Sequence, residues 1–235
     1  MNRKTISALV WVLTLALTPL AAQEVRPSLA DCFKTMPDRL IPATGEMRSD
    51  LLTYRESGLR PQVQGLDGVL LEIEAMTDTY LGLRTSERGT LQFKLLETAS
   101  ADKDSAAWLI AVVRTVQAPA GISSLRFYTL DWQLIEDRFP LPEVHTEDFW
   151  SLPMLDTICA TSKPDSFDPE SSVEISPSEL FKADMYALTF SPDGPLLTAT
   201  SSAGIQLGAR RFAWVKEAFR GKLTFRWDGT AFVRE

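Results

Sequence analysis

The stretch GLDGVLLEIEAMTDTYLGLRTSERGTLQFKLL, Gly65 to Leu96, is where the hydrophobic period of the chain changes from helical to two. Leu71 and Ile73 alternate with Glu72 and Glu74, and beyond the Ser86 to Gly89 turn Leu91, Phe93 and Leu95 alternate with Gln92 and Lys94. Successive side chains of a strand point to opposite faces, so this alternation predicts strands with one face on a core and the other wet. Farther on, Ala107 to Val113 is apolar throughout, including Trp108, Leu109, Ile110 and Val112, as a central strand covered on both faces requires. Leu125 and Phe127, alternating with Arg126 and Tyr128, supply another strand.

Upstream the period is helical. Ser28 precedes Leu29 with Asp31 three residues on, a capping-box-like start, and Leu29, Cys32, Phe33 and Met36 then fall on one stripe until Pro37 stops the helix. Thr44 caps a second helix, in which Met47, Leu51 and Tyr54 form the apolar stripe while Glu46, Arg48, Asp50 and Arg55 look outward. Gly58 closes it in the left-handed region.

Downstream, residues 136–177 are rich in proline, serine and acid and read as a connector, after which Ser176 caps a short helix with Pro177 at its first position and Glu179 completing the box. Two hairpins follow with a helix between them. Asp184 to Phe190 meets the turn sequence Ser191-Pro192-Asp193-Gly194 and returns through Leu196 to Thr200; Gln206 to Phe219 is helical, with Phe212, Val215 and Phe219 on one stripe. Leu223, Phe225 and Trp227 then alternate with Lys222, Thr224 and Arg226 before Asp228-Gly229 turns the chain back through Phe232. The SPDG and WDG phrases occur in propeller blades too, but no further copies recur at the blade period of roughly 40 to 45 residues. The expected fold is α+β: a mostly antiparallel sheet with an N-terminal helix pair and a C-terminal hairpin-helix-hairpin unit. In segments, this gives a leader at 1–22, the helix pair and sheet at 23–135, the connector at 136–177, and the C-terminal unit at 178–235, packed with the N-terminal part.

The first twenty-two residues read as a cleavable export signal: Arg3 and Lys4, an apolar run from Ala8 to Leu17, then Thr18, Pro19 and Leu20 ahead of Ala21 and Ala22. That run makes only ~15 Å of helix, about half a bilayer core, so no transmembrane anchor is expected in the mature chain. Cys32 lies too far beyond the cut, placed between Ala22 and Gln23, to carry a lipid. The expected location is therefore periplasmic or extracellular. A hydrophobic content of 45% argues against disorder, and the net charge of −7 becomes −9 when Arg3 and Lys4 are removed. Such an acidic protein repels nucleic acid and anionic headgroups. In an oxidising compartment Cys32 and Cys159 have the option of one long-range disulfide, although the stripe that Cys32 shares with Leu29, Phe33 and Met36 favours a buried thiol.

Chemistry-bearing patterns are few. His145 is the single histidine and sits in the connector, which removes most metal and histidine-assisted nucleophile arrangements. Glu72 and Glu74 share a strand face with Cα atoms roughly 6.8 Å apart, a spacing that touches the carboxyl separation of inverting glycosidases, although a solvated face explains it as well. Asp102 with Asp104, and Asp165, Asp168, Glu170 and Glu174, offer oxygen ligands without the glycine or spacing of a calcium loop. Arg210, Arg211, Lys216, Arg220, Lys222 and Arg226 concentrate positive charge near the C-terminus, where they face water or meet an anionic glycan or acidic partner. Phosphate-loop, dinucleotide and GxSxG patterns do not occur. No residue is assigned to catalysis, a cofactor or a metal.

The phrases MPDRLIP (Met36 to Pro42), RSDLLTYRESG (Arg48 to Gly58), TDTYLGL (Thr77 to Leu83), LQFKLL (Leu91 to Leu96), VVRTVQAPA (Val112 to Ala120), RFYTLDW (Arg126 to Trp132) and LTFRWDGTAF (Leu223 to Phe232) resemble domain-of-unknown-function family 3256, uncharacterised exported proteins of anaerobic Gram-negative bacteria. The resemblance implies export to the cell envelope and carries over no catalytic or ligand residue. It also sets a small residue where Cys32 stands, which weakens the disulfide. Two functions are thus weighed: a non-enzymatic binding or structural protein meeting a protein or glycan partner through a sheet face or the basic C-terminal patch, and a carboxylate-dependent envelope hydrolase acting on glycans.

Overall fold

Ser28 caps the first helix, its hydroxyl accepting from the Asp31 N–H at 3.4 Å, and α1 (Leu29–Thr35) buries Leu29, Cys32 and Phe33. These details come from a computed structural model that describes residues 26–99, 107–117, 120–161 and 185–235. The leader, the acidic residues at 102, 104 and 165–174, and the helix expected from Ser176 lie outside the described residues. Thr44 caps α2 (Gly45–Glu56), accepting from the Met47 N–H at 3.3 Å, and Gly58 follows it at φ 70°.

Seven antiparallel strands follow in chain order across one sheet: β1 (Gln62–Gln64), β2 (Leu70–Met76), β3 (Tyr80–Arg84), β4 (Gly89–Glu97), β5 (Trp108–Gln117), β6 (Gly121–Tyr128) and β7 (Leu134–Ile135). A second, four-stranded sheet holds β8 (Tyr186–Phe190), β9 (Leu196–Ser201), β10 (Lys222–Trp227) and β11 (Phe232–Arg234), again neighbours in chain order. The fold is α+β with mostly antiparallel sheet, as the periodicity predicts. The α3 helix (Leu152–Thr161) forms inside the proline-rich stretch, because Pro153 falls in its first turn, where an N–H has no intrahelical partner to lose. The α4 helix (Ala203–Val215) starts three residues before the expected Gln206 and is broken at Gly208, φ 72° and ψ 160°.

Two cores give the molecule three layers. On one face of the large sheet, Leu71, Ile73, Leu81, Leu83, Phe93 and Ile110 pack with the helix pair. On the other, Leu109, Ala111, Val113, Leu125 and Phe127 pack with Leu188, Phe190, Leu197, Phe225 and Trp227 of the small sheet. The wet face expected for β4 is therefore covered: Lys94 is 3% exposed, because the β8–β9 turn lies over it. Polar groups on that buried face complete the edge of the small sheet. The Leu188 N–H donates to Ser123 Oγ and the Phe190 N–H to Gln92 Oε1, both at 2.8 Å, so an edge strand that would otherwise present unpaired donors is satisfied from below.

Arg48 corrects a second expectation, since it is turned inward and only 3% exposed. One Nη donates to Asp38 Oδ1 at 2.8 Å and to the Ala43 carbonyl at 2.6 Å, while the other reaches the carbonyls of Met36 and Lys34. Helical spacing cannot reveal this cage, which is assembled from the loop between α1 and α2. The inward stripe of α2 is Leu51 and Leu52, whereas Tyr54 is 37% exposed.

Candidate functional site

The helix pair packs over β1 and β2, and the same sheet face emerges into solvent on β5 and β6. Register places Arg114 opposite Ser124 and Val112 opposite Arg126, so the two arginines are diagonal neighbours on adjacent strands, with Cα atoms roughly 7 Å apart. Beyond them Val116 pairs with Ile122, and these apolar side chains stand 47% and 52% exposed. A third arginine, Arg39, comes from the 3-10 turn Asp38–Leu40, which the buried Arg48 ties down through Asp38. Together Arg39, Arg114 and Arg126 line a cleft of about 280 Å³. Its floor is Leu91, Phe93 and Val112, and Tyr128 and Trp132 supply aromatic edges.

The electrostatics of this cleft are one-sided. All three arginines are exposed, no carboxylate lines the cleft, and among the described residues none of the three is ion-paired. Like charges held as cross-strand neighbours repel, and the acidic groups nearest Arg126, Glu136 opposite it past the end of β7 and Asp137, line a separate cleft on its other side without forming an ion pair with it. Trp132 fixes one wall. It sits 2% exposed at φ 62°, donates its indole N–H to the Cys32 carbonyl at 2.9 Å, and meets Phe93 edge to face at 5.9 Å. A bulky residue in the left-handed region is held only where its surroundings over-determine it, so the wall is rigid.

The residues singled out by sequence lie elsewhere. Glu72 and Glu74 share a face of β2 but are neutralised there: Arg60 donates to both Glu72 oxygens at 2.8 and 3.0 Å, and Arg84 pairs with Glu72 and lies 3.5 Å from Glu74. His145 is exposed, and its N–H donates to Asp148 Oδ2 at 3.0 Å. Desolvation of Asp148 opposes its ionisation, yet that N–H and the Arg234 guanidinium at 2.7 Å together lower its pKa. In the C-terminal basic set Arg226 is paired with Glu235, while Arg210, Arg211, Lys216, Arg220 and Lys222 stand exposed. Cys32 and Cys159 are free thiols on opposite sides of the large sheet, Cys32 buried in one core and Cys159 half-buried against the other. Among the described residues, no group of three His, Cys, Asp or Glu side chains is placed to hold a metal ion. No helix among them is long and apolar enough to cross a membrane.

A larger cleft, about 500 Å³, opens at the seam between the sheets beside Lys94, Trp108 and Trp227. Its polar groups already serve the fold: Arg26 lies over the Trp108 ring at 5.4 Å, Lys94 holds the β8–β9 turn, and the Trp227 indole donates to the Glu97 carbonyl at 2.6 Å. In the arginine cleft, by contrast, no such structural contact engages the three charges among the described residues. Sequence reading missed it because the signal is a register: Arg114 and Arg126 become neighbours only once β5 and β6 are paired.

Comparison with known proteins agrees with this architecture. A domain of an uncharacterized protein from Porphyromonas gingivalis W83 superposes with a TM-score of 0.64 at 22% identity, covering 88% of this chain and 97% of that one, which shows a shared fold. No curated protein matches the chain. The family model described as "Protein of unknown function (DUF3256)" matches residues 20–232, and the chain belongs to that family.

Proposed function

We propose that this protein is exported and acts in the cell envelope by binding, not catalysis, meeting its partner on the open sheet face of β5 and β6. The observation that carries this reading is the cleft of Arg39, Arg114 and Arg126: three exposed guanidiniums around an apolar floor, in a chain of net charge −7. A binding site is concave and gathers a few polar groups, and here the polar lining outweighs the apolar floor, which suits a charged ligand group. The hydrolase alternative needs a carboxyl free to exchange a proton, and the two guanidiniums on Glu72 favour binding over it. Export rests on the leader reading of residues 1–22, and the partner is a protein or glycan of the envelope.

The test is capture of partners from envelope extract by the tagged mature protein and by Arg114→Ala/Arg126→Ala, with Arg210→Ala/Arg211→Ala as the control. The reading expects a species retained by the wild type and the control and lost by the cleft variant. A species retained equally by all three contradicts it.

A further inference from the structure

Resting on the binding reading of this cleft, we infer that the ligand group it takes is a phosphate monoester carried on an apolar or aromatic body. Three observations fix the class. First, the three arginines that line the cleft come from three separate elements, the turn at Arg39, β5 at Arg114 and β6 at Arg126. A planar carboxylate offers two oxygens to one or two forks, whereas a tetrahedral monoester presents three terminal oxygens in three directions and carries a charge of about −1.5 to −2 near neutral pH. That anion matches three fixed positive charges and relieves the repulsion between Arg114 and Arg126. Arginine is the side chain suited to this, since it stays charged and presents a planar fork of donors. The Ser124 and Tyr128 hydroxyls on the cleft wall add neutral hydrogen-bonding groups.

Second, about 280 Å³ sits near the lower end of small-molecule sites, so the cleft holds a headgroup and not a long polymer segment. Third, the surface next to the arginines is apolar. Leu91, Phe93 and Val112 form the floor, and Val116 with Ile122 extends an exposed apolar strip along the same sheet face just past Arg114 and Ser124. Inorganic phosphate cannot use that strip; an ester with an apolar body can. The acidic side chains nearest in sequence do not cancel the cleft's charge. Asp38 is engaged by Arg48, Asp131 is exposed beside Trp132 without lining the cleft, and Glu136 and Asp137, exposed on the far side of Arg126, line a neighbouring cleft and form no ion pair with it.

The experiment is isothermal titration of the mature protein with phenyl phosphate, with inorganic phosphate and with benzoate, repeated on Arg114→Ala, Arg126→Ala and Arg210→Ala/Arg211→Ala. The expected order is phenyl phosphate over inorganic phosphate over benzoate, with a loss of roughly tenfold or more for each cleft variant and no change for the C-terminal one. Co-sedimentation with phosphatidylcholine vesicles, with and without phosphatidic acid, separates sources: retention dependent on phosphatidic acid and on Arg114 assigns a lipid monoester, and its absence alongside phenyl phosphate binding assigns a soluble one. Failure of phenyl phosphate to bind, or equal weakening by Arg210→Ala/Arg211→Ala, overturns the inference. If phenyl phosphate fails while the cleft variants still lose the envelope partner, the ligand class falls and the binding reading stands; if that loss is missing as well, both fall. Circular dichroism of each variant establishes that lost binding is not lost folding.

Discussion

Lys94 on β4 donates from Nζ to the carbonyl of Pro192 at 2.8 Å and to that of Ser191 at 3.0 Å, joining the centre of the large sheet to the β8–β9 turn across ninety-eight residues of chain. The ammonium is buried, 5.9 Å from the centre of the Tyr80 ring. Charge-assisted bonds of this kind contribute about 1.5–3 kcal/mol each net, and removing the donor leaves two carbonyls short of a partner. Loss of both bonds in Lys94→Ala is therefore expected to lower unfolding free energy by about 3 kcal/mol or more in urea titration. An unchanged midpoint contradicts the role given to this contact.

The same lysine sets a pH signature. Burial lowers its pKa from 10.5, with Asp193 pulling the other way. Just below pH 10.5 the unfolded chain then binds more protons than the folded one, so this group's contribution to stability rises with pH through that window. Tyr80, whose pKa is raised by burial and by Glu74, acts with the opposite sign above pH 10. Comparing stability against pH for the wild type and Lys94→Met isolates the lysine, and the variant should show the smaller rise.

Gly229 and Gly58 make a matched pair. Both have positive φ, 102° and 70°, but a Cβ on Gly229 falls 2.7 Å from the Ala99 Cβ and backbone N, whereas nothing lies within 4 Å at Gly58. Gly58→Ala should cost about 1 kcal/mol, from conformation alone. Gly229→Ala should cost clearly more, because the β10–β11 turn must also move off the Ala99 N–H, which donates to the Gly229 carbonyl at 3.0 Å. Equal losses in thermal denaturation contradict the close approach.

Cys32 and Cys159 should titrate as two thiols in the unfolded protein, with identical mobility on reducing and non-reducing gels. Cys32 in one core and Cys159 half-buried against the other, on the opposite face of the sheet, lie beyond the reach of a disulfide, which needs Cα atoms within ~7 Å. Burial raises the pKa of both, with Asp31 adding to the effect at Cys32 and Asp156 at Cys159, so neither should react rapidly while folded. A mobility difference between the two gels refutes this placement.

What the sequence discloses and what it conceals divide along one physical line. Ser28, Thr44, Gly58 and the alternation from Leu223 to Trp227 act through neighbours a few residues away, so the caps and the last hairpin are legible from the order of residues alone. Gln92, Lys94 and Arg48 are polar residues that the same local rules turn toward water. Lys94 and Arg48 are buried and Gln92 half-buried because distant segments cover them: the β8–β9 hairpin over β4, and the carbonyls between α1 and α2 around Arg48. β1 has three residues and no pattern to read, and β3, buried at four of five positions, shows no alternation. The candidate site belongs to the hidden class. Arg126 is visible as the polar position of a strand, but its partnership with Arg114 and Arg39 exists only in three dimensions.

Titration of the ¹⁵N-labelled protein with phenyl phosphate, followed through the arginine Nε–H resonances, tests the central claim most directly. The cleft predicts saturable shifts for Arg39, Arg114 and Arg126, with Arg210 and Arg211 left in place. Shifts confined to Arg210 and Arg211, or no saturable shift at any arginine, contradict it.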